Sequence, residues 1–293
     1  MDPDSLAAPA AAARPPAGPP AVIPSVDWWI TSRCNLACDF CYGPAPRKDP
    51  VHLREAILEA IEGCSAAAVT FCGGEPLLVR EVDRYAKRLL DQGKRTILNT
   101  NGAFLARRFG QGLARAFAVV GLSIDGSTEA AHRAMRGARA DFAAVLQAAQ
   151  LVAQTPGVSL KLATVVSAVN RADLPSLADL VGRLKPDIWR LYQYSGRGDV
   201  NVGQHRHALT EDDFRALAEN AAERAAPVPT APSAEDLTAG CLIINPDGDV
   251  LQPVGDTYLR LGNCLDEKID EIWAKIPSAD TIIENKRWHS VIA

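Results

Sequence analysis

The 293-residue sequence has no run of eighteen consecutive apolar residues, so no stretch has the length and character of a membrane-spanning helix. It has no excess of positive charge. Lys and Arg number 31 against 35 Asp and Glu, a formal net charge of −4, which gives no overall attraction to nucleic acid or an anionic membrane. Residues 1–25 are dominated by Ala and Pro, with neither a basic n-region nor an uninterrupted apolar core, so they are not expected to act as a secretory signal. Asp2, Asp4 and Arg14 are the only charges there. Such a segment cannot bury enough apolar surface to offset its ordering entropy, so a disordered tail too short to be a peptide-recognition domain is expected. With no secretory signal, seven cysteines point to metal binding in a reducing compartment, expected to be the cytoplasm, rather than to disulfides.

What is present reads as a globular chain. Hydrophobic residues make up 47% and charged residues 23%, values ordinary for a folded domain. The length suffices for one large α/β domain with a small appendage. From residue 26 onward, apolar runs of strand length alternate with stretches of helical periodicity. Strands are expected at 26–30, 66–71, 96–99, 118–124, 159–166 and 188–194, and helices at 52–63, 82–92, 141–153 and 174–184. Gly63 and Gly93 close the first two helices. Long crossovers between successive strands predict a parallel sheet with its active residues at the carboxyl ends. Cys34, Gly73, Asn101, Ser123, Ser167 and Tyr194 all fall at or just after those ends.

After the first strand comes Cys34-Asn35-Leu36-Ala37-Cys38-Asp39-Phe40-Cys41. Three thiolates at this C-x3-C-x2-C spacing can hold three corners of a cubane [4Fe–4S] cluster. A structural cluster normally takes four cysteines, so the incomplete set leaves one iron open for a substrate or cofactor. Taken alone, the three cysteines could equally belong to a zinc site or be buried thiols. Gly73-Gly74-Glu75-Pro76 follows at the end of the second strand. Together the two motifs resemble the signatures of the radical S-adenosylmethionine (SAM) superfamily, and the likeness covers roughly residues 26–193.

The resemblance implies a partial (βα)6 TIM barrel with Cys34, Cys38 and Cys41 ligating the cluster and SAM chelating the open iron. One electron through the cluster then cleaves SAM to methionine and a 5′-deoxyadenosyl radical, which abstracts hydrogen from substrate. A flavodoxin or ferredoxin is the implied electron donor. By the same likeness Phe40 lies against the adenine, and Gly73, Gly74 and Glu75 meet the methionine part. Glycines let backbone approach a ligand closely, and a carboxylate can accept from the SAM ammonium. Asn101 and Ser123 are expected at the ribose and carboxylate, and Arg136 can pair bidentately with a carboxylate.

The domain expectation is a tail at 1–25, the barrel at 26–198 and an extension at 199–293. In the last part a helix is expected at 211–225, a Pro-rich linker at 227–234, a hairpin at 241–252 and a helix at 268–274. This pattern resembles a degenerate SPASM or twitch extension, a small β-hairpin and helix. Gln252-Pro253 stands where an auxiliary-cluster Cys-Pro belongs, leaving Cys241 and Cys264 too few for an ordinary four-cysteine cluster, although a His or substrate ligand could complete one. Cys64 and Cys72 read as small buried hydrophobes. The tract at 187–194 also resembles viperin, the radical SAM nucleotide dehydratase. Arg190, Tyr192 and Tyr194 are therefore the candidate substrate-side residues. Lys161, Arg190, Arg197 and Arg206 could line an anion-binding mouth, although His205-Arg206-His207 reads first as a solvated loop. The expected substrate is a small polar metabolite such as a nucleotide or sugar derivative, with a ribosomally made peptide, or no catalysis at all, as alternatives.

Overall fold

The structure, a computed structural model, describes residues 22–45, 48–109, 113–198, 201, 205–231, 241–254 and 257–276. Residues 1–21 of the tail expected at 1–25, and 232–234 of the expected linker, lie outside the described residues; the end of that tail is part of the fold instead, with Ile23 fully buried and Ser25 opening the first strand. Six parallel strands, β1 (Ser25–Thr31), β2 (Ala68–Gly73), β3 (Arg95–Thr100), β4 (Val119–Ser123), β5 (Ser159–Val166) and β6 (Ile188–Gln193), lie side by side in chain order. Between them run α1 (Arg54–Glu62), α2 (Val82–Asp91), α3 (Leu105–Phe109), α4 (Glu129–Arg136), α5 (Phe142–Ala153) and α6 (Leu174–Leu184). This is the partial TIM barrel expected from the alternating pattern.

The core lies between sheet and helices. Trp28, Phe71, Leu98, Val120, Leu162 and Trp189 are fully buried, one from each of the six strands. The Trp28 and Phe71 rings sit 5.4 Å apart, as do those of Phe71 and Phe117. Each such side chain contributes about 2 kcal/mol through burial alone, which fixes the face each strand turns outward. On β5 the outward residues Leu160, Leu162, Thr164 and Val166 are buried. The alternate residues Lys161, Ala163 and Val165 are only half-buried, so the inner face borders an accessible lumen.

Both edges of the six-strand sheet are covered. Beyond β1 lies β7 (Cys241–Ile244), parallel to it, followed by the antiparallel β8 (Asp249–Val254) and β9 (Thr257–Asn263). Among the described residues this makes one continuous nine-stranded sheet. The expected extension is therefore not a hairpin set apart: its first strand occupies the open edge of β1, satisfying backbone groups that would otherwise template foreign pairing. At the opposite edge, Thr230 exchanges backbone hydrogen bonds of 2.9 Å with Leu191 and Trp189 of β6. The Pro-rich linker thus also serves as an edge cover. Helix α7 (Glu211–Arg224) precedes it, and α8 (Ile269–Ala274) buries Ile269, Ile272 and Trp273.

Three elements were not predicted from the sequence: α3, α4 and β9. The start of α4 carries a legible signal, because Thr128 caps it by accepting from Ala131 N, and Gly137, at φ +86°, ends it. Gly63 does occupy the C-cap of α1, but with right-handed angles (φ −77°, ψ −8°) rather than the left-handed conformation that favours glycine.

Candidate active site

The cysteine loop leaves the carboxyl end of β1 and is anchored where it starts. Asp49 accepts from the Thr31 hydroxyl, from Ser32 N and Ser32 Oγ at 2.8 Å each, and from Arg54 Nη2 at 3.0 Å. Burial pushes the Asp49 carboxyl up, but these donors outweigh it and hold the group below the ordinary carboxylate range. Asp49 was not singled out from the sequence, since nothing local to it announces a partner at Thr31, eighteen residues upstream.

The Gly-Gly pair packs against the same loop. Gly74 N donates to Thr31 O at 2.7 Å, and Glu75 N donates to Arg33 O at 2.8 Å. A Cβ on Gly74 would lie 2.1 Å from Arg33 O, and one on Gly73, at φ +110°, would lie 2.6 Å from Thr31 O. The close approach that requires glycine is thus to the protein's own backbone beside Cys34. The Glu75 carboxylate is buried, its Oε1 accepting from Thr100 Oγ1 (2.7 Å) and Leu77 N (3.0 Å) and its Oε2 from Asn101 N (2.9 Å). Three of about four acceptor positions are therefore filled within the chain. Burial raises this carboxyl, with the hydrogen bonds opposing. Asn101 Nδ2 in turn donates to Asn35 Oδ1 at 2.8 Å, which ties β3 to the residue after Cys34.

On the other flank stands Arg136. Its guanidinium is paired with the fully buried Asp125 and lies 5.5 Å from the Phe40 ring centre, while its carbonyl is 3.6 Å from Cys38 Sγ. Asp125 also accepts from Val165 N at 2.7 Å, and its own N donates to His132 Nδ1 at 3.2 Å. Asn170 Nδ2 donates to Asp125 O and Val165 O at 3.0 and 2.9 Å. This network holds the positive charge of Arg136 beside the cysteines. Ser123 is half-buried at the end of β4, in the turn that leads to Asp125.

His207 corrects the sequence reading of a solvated loop. It is fully buried, with Nε2 2.9 Å from Asp39 Oδ1 and Nδ1 3.3 Å from Ser167 Oγ. Its ring lies 5.6 Å from Phe40 and 5.2 Å from Tyr194. Arg206 pairs with the same carboxylate of Asp39. Burial would raise Asp39, but His207 and Arg206 hold it below the ordinary range. Asn201 Nδ2 donates to Cys41 O at 3.0 Å, and Tyr258 Oη donates to Tyr42 O at 2.6 Å. Residues far along the chain therefore brace the back of the cysteine loop. Phe40, buried between Arg136 and His207, retains little open ring surface.

Arg190 and Tyr192 stand on the inner face of β6, with Arg190 Nε donating to Thr230 Oγ1 at 3.3 Å. Tyr194 lies just beyond, against His207. The structure therefore places Asn101 and Glu75 on one flank of the cysteine loop and Arg136 and Tyr194 on the other, with Phe40, itself on the loop, between Arg136 and His207. Cys241 lies beside Asp27 and Cys72, whereas Cys264 is near Cys64. Cys64 and Cys72 are buried, and Cys64 Sγ donates to Ile61 O at 3.1 Å.

The donor set fits an iron–sulfur cluster. Cys34, Cys38 and Cys41 are free thiols on one loop, Cys34 exposed and the other two half-buried. Burial pushes the Cys38 thiol up to about 12 despite Arg136, so ligation must displace its proton.

Comparison with known proteins agrees with this geometry. The chain is 29% identical to Fe-coproporphyrin III synthase of Methanosarcina barkeri over 62% of its length and 47% of that protein's. It is 23% identical to an S-adenosylmethionine-dependent nucleotide dehydratase of Psychrobacter lutiphocae over 64% of its length and 69% of that protein's. It thus spans about half the length of the first of these relatives. Streptococcus suis SuiB, solved with its precursor peptide SuiA, shares the fold at a TM-score of 0.69 and 15% identity, over 88% of this chain and 66% of that one. The radical SAM superfamily model matches residues 29–181. With a [4Fe–4S] cluster and SAM as its cofactors, the chain belongs to the radical SAM superfamily.

Proposed function

We propose that this chain is a radical SAM enzyme whose cluster is held by Cys34, Cys38 and Cys41 and whose substrate is a small polar metabolite, a nucleotide or sugar derivative. The observation that carries the reading is the packing of the three-cysteine loop against Gly73 and Gly74 at the carboxyl ends of parallel strands. When bound, the cluster supplies the electron that cleaves SAM, and the cleavage supplies a carbon radical able to take a substrate hydrogen.

The chain's own residues do the rest. Gly73, Gly74 and Glu75 shape the loop against which SAM rests, Asn101, Ser123 and Arg136 meet its polar groups, and Phe40 offers it the ring edge that stays exposed. Arg190, Tyr192 and Tyr194 hold the substrate's C–H bond near it, where positioning and exclusion of water determine which hydrogen is taken. Residues 26–198 form the catalytic barrel and 199–293 an extension that braces it. The setting proposed is the cytoplasm, with a flavodoxin or ferredoxin as electron donor. Among the described residues no helix is long and apolar enough to cross a membrane.

The test is iron and sulfide content after anaerobic reconstitution, with dithionite-driven formation of 5′-deoxyadenosine. About four irons per chain with deoxyadenosine formed supports the reading. Zinc in place of iron with SAM left intact sinks it. A second reading, modification of a ribosomally made peptide, draws on the likeness to SuiB and to a mycofactocin maturase. Tight binding of a precursor peptide, or about eight irons per chain, would favour it.

A further inference from the structure

The carboxamide of Asn101, just past the end of β3, is fixed from three sides within the chain. Its backbone N donates to Glu75 Oε2 at 2.9 Å, its Oδ1 accepts from Ala103 N at 3.1 Å, and its Nδ2 donates to Asn35 Oδ1 at 2.8 Å. The Ala103 N–H can meet only an oxygen, which decides which end of the amide is which. The NH2 end therefore faces the cysteine loop, where Nδ2 lies 3.9 Å from Cys34 Sγ. The turn that carries it is locked as well. Thr100 Oγ1 donates to Glu75 Oε1 at 2.7 Å and accepts from Gly102 N at 3.1 Å, with Gly102 at φ +83°.

Asn101 thus stands as a neutral donor between a buried carboxylate, Glu75, and a cluster cysteine. Cys34 Sγ is also met by Leu36 N at 3.4 Å, whereas Cys38 Sγ faces a carbonyl, Arg136 O, at 3.6 Å. Asn35 Oδ1 lies 3.9 Å from Cys34 Sγ, and an oxygen so placed repels a thiolate unless a donor occupies it. Asn101 Nδ2 is that donor. One amide group therefore turns its positive end toward the sulfur and neutralises the acceptor beside it. Hydrogen bonds to the sulfurs are among the levers that set an iron–sulfur reduction potential.

We propose that Asn101 is a positioning residue for Cys34, and that its NH2 end raises the reduction potential of the iron–sulfur group held there. One electron from the donor adds one negative charge to the irons and their thiolates. The Asn101 NH2 end favours that added charge, so a donor of less negative potential suffices to deliver it. The assignment rests on the reading of the chain as a radical SAM enzyme. It is compatible with a SAM contact, since Ala103 N takes one lone pair of Oδ1 and leaves the other.

The experiment is a redox titration with dithionite of the anaerobically reconstituted full chain, read by the electron paramagnetic resonance of the reduced cluster. Asn101→Asp keeps the side chain's shape and an acceptor for Ala103 N but replaces the NH2 end by oxygen. Asn101→Leu removes both polar ends. Each should shift the midpoint to a more negative potential while keeping about four irons per chain. Iron content is the control for folding, and where only one variant keeps its iron, that variant decides. A midpoint equal to or above wild type in any iron-loaded variant overturns the proposal; if the wild-type chain still cleaves SAM, the enzyme reading stands. Loss of iron from both variants would make Asn101 a brace of the loop and overturn the tuning role. If the wild-type chain takes up no cluster, the enzyme reading fails and this assignment fails with it.

Discussion

His207 Nε2 lies 2.9 Å from Asp39 Oδ1, joining two residues 168 positions apart. Asp39 sits between the second and third cysteines of the loop, so a buried imidazole from beyond the barrel's last strand fixes the turn from which Cys38 and Cys41 project. With the carboxylate accepting, Nε2 carries the proton. The bond makes residues past the sixth strand part of the cluster loop's support.

His207→Ala should therefore lower iron loading as well as stability. The variant leaves one Asp39 oxygen without its partner and opens space beside Phe40 and Tyr194, at a cost of about 1–3 kcal/mol. Urea denaturation and iron per chain measure the two effects. Full iron loading in a destabilised variant would reduce His207 to an ordinary packing residue.

Gly74→Ala should impair the cysteine loop without touching a cysteine. Its Cβ would fall 2.1 Å from Arg33 O, a backbone atom that cannot rotate away. Relief requires moving the residue before Cys34, with a stability cost of about 1–3 kcal/mol. Iron content and SAM binding should drop together. Normal values for both would show that the loop yields without consequence.

Replacing Cys34, Cys38 or Cys41 by Ala should abolish dithionite-driven 5′-deoxyadenosine formation and lower bound iron. Cys241→Ala and Cys264→Ala should leave about four irons per chain. A loss of roughly half the iron from a wild-type content of about eight in either of those would reveal a second cluster.

His132 gives the fold an acid sensitivity of definite sign. Burial, with Arg136 nearby, lowers its pKa from 6.5 to about 4. Between those values the unfolded chain binds a proton that the folded chain does not, so stability falls as pH drops through that window. The loss approaches about 3 kcal/mol at its acid end. Urea midpoints of the metal-free chain from pH 7 down to pH 5 should show the decline. His132→Asn, which keeps an acceptor for Asp125 N, should flatten it; an unchanged slope would place the titration elsewhere.

Much of the barrel could be read from local pattern, because each strand buries one face against a helix and each helix one stripe against the sheet. Leu174–Leu184 matches its expected bounds, and so does β5, Ser159–Val166. Helix α4 escaped because its apolar face is short, with His132 and Met135 as its buried residues. Strand β9 escaped because it is half-buried at most, so hydrophobic periodicity was a weak signal there.

By itself, the sequence determined the superfamily, the cluster cysteines' spacing and the order of strands and helices, because each is encoded within a few neighbouring residues. Tertiary structure alone decided what surrounds the cysteines. Asp49 at the loop's start, His207 and Asn201 behind it, and Arg136 clamped by Asp125 meet only when distant segments pack. Burial and hydrogen-bond partners are properties of that packing, and no spacing along the chain encodes them.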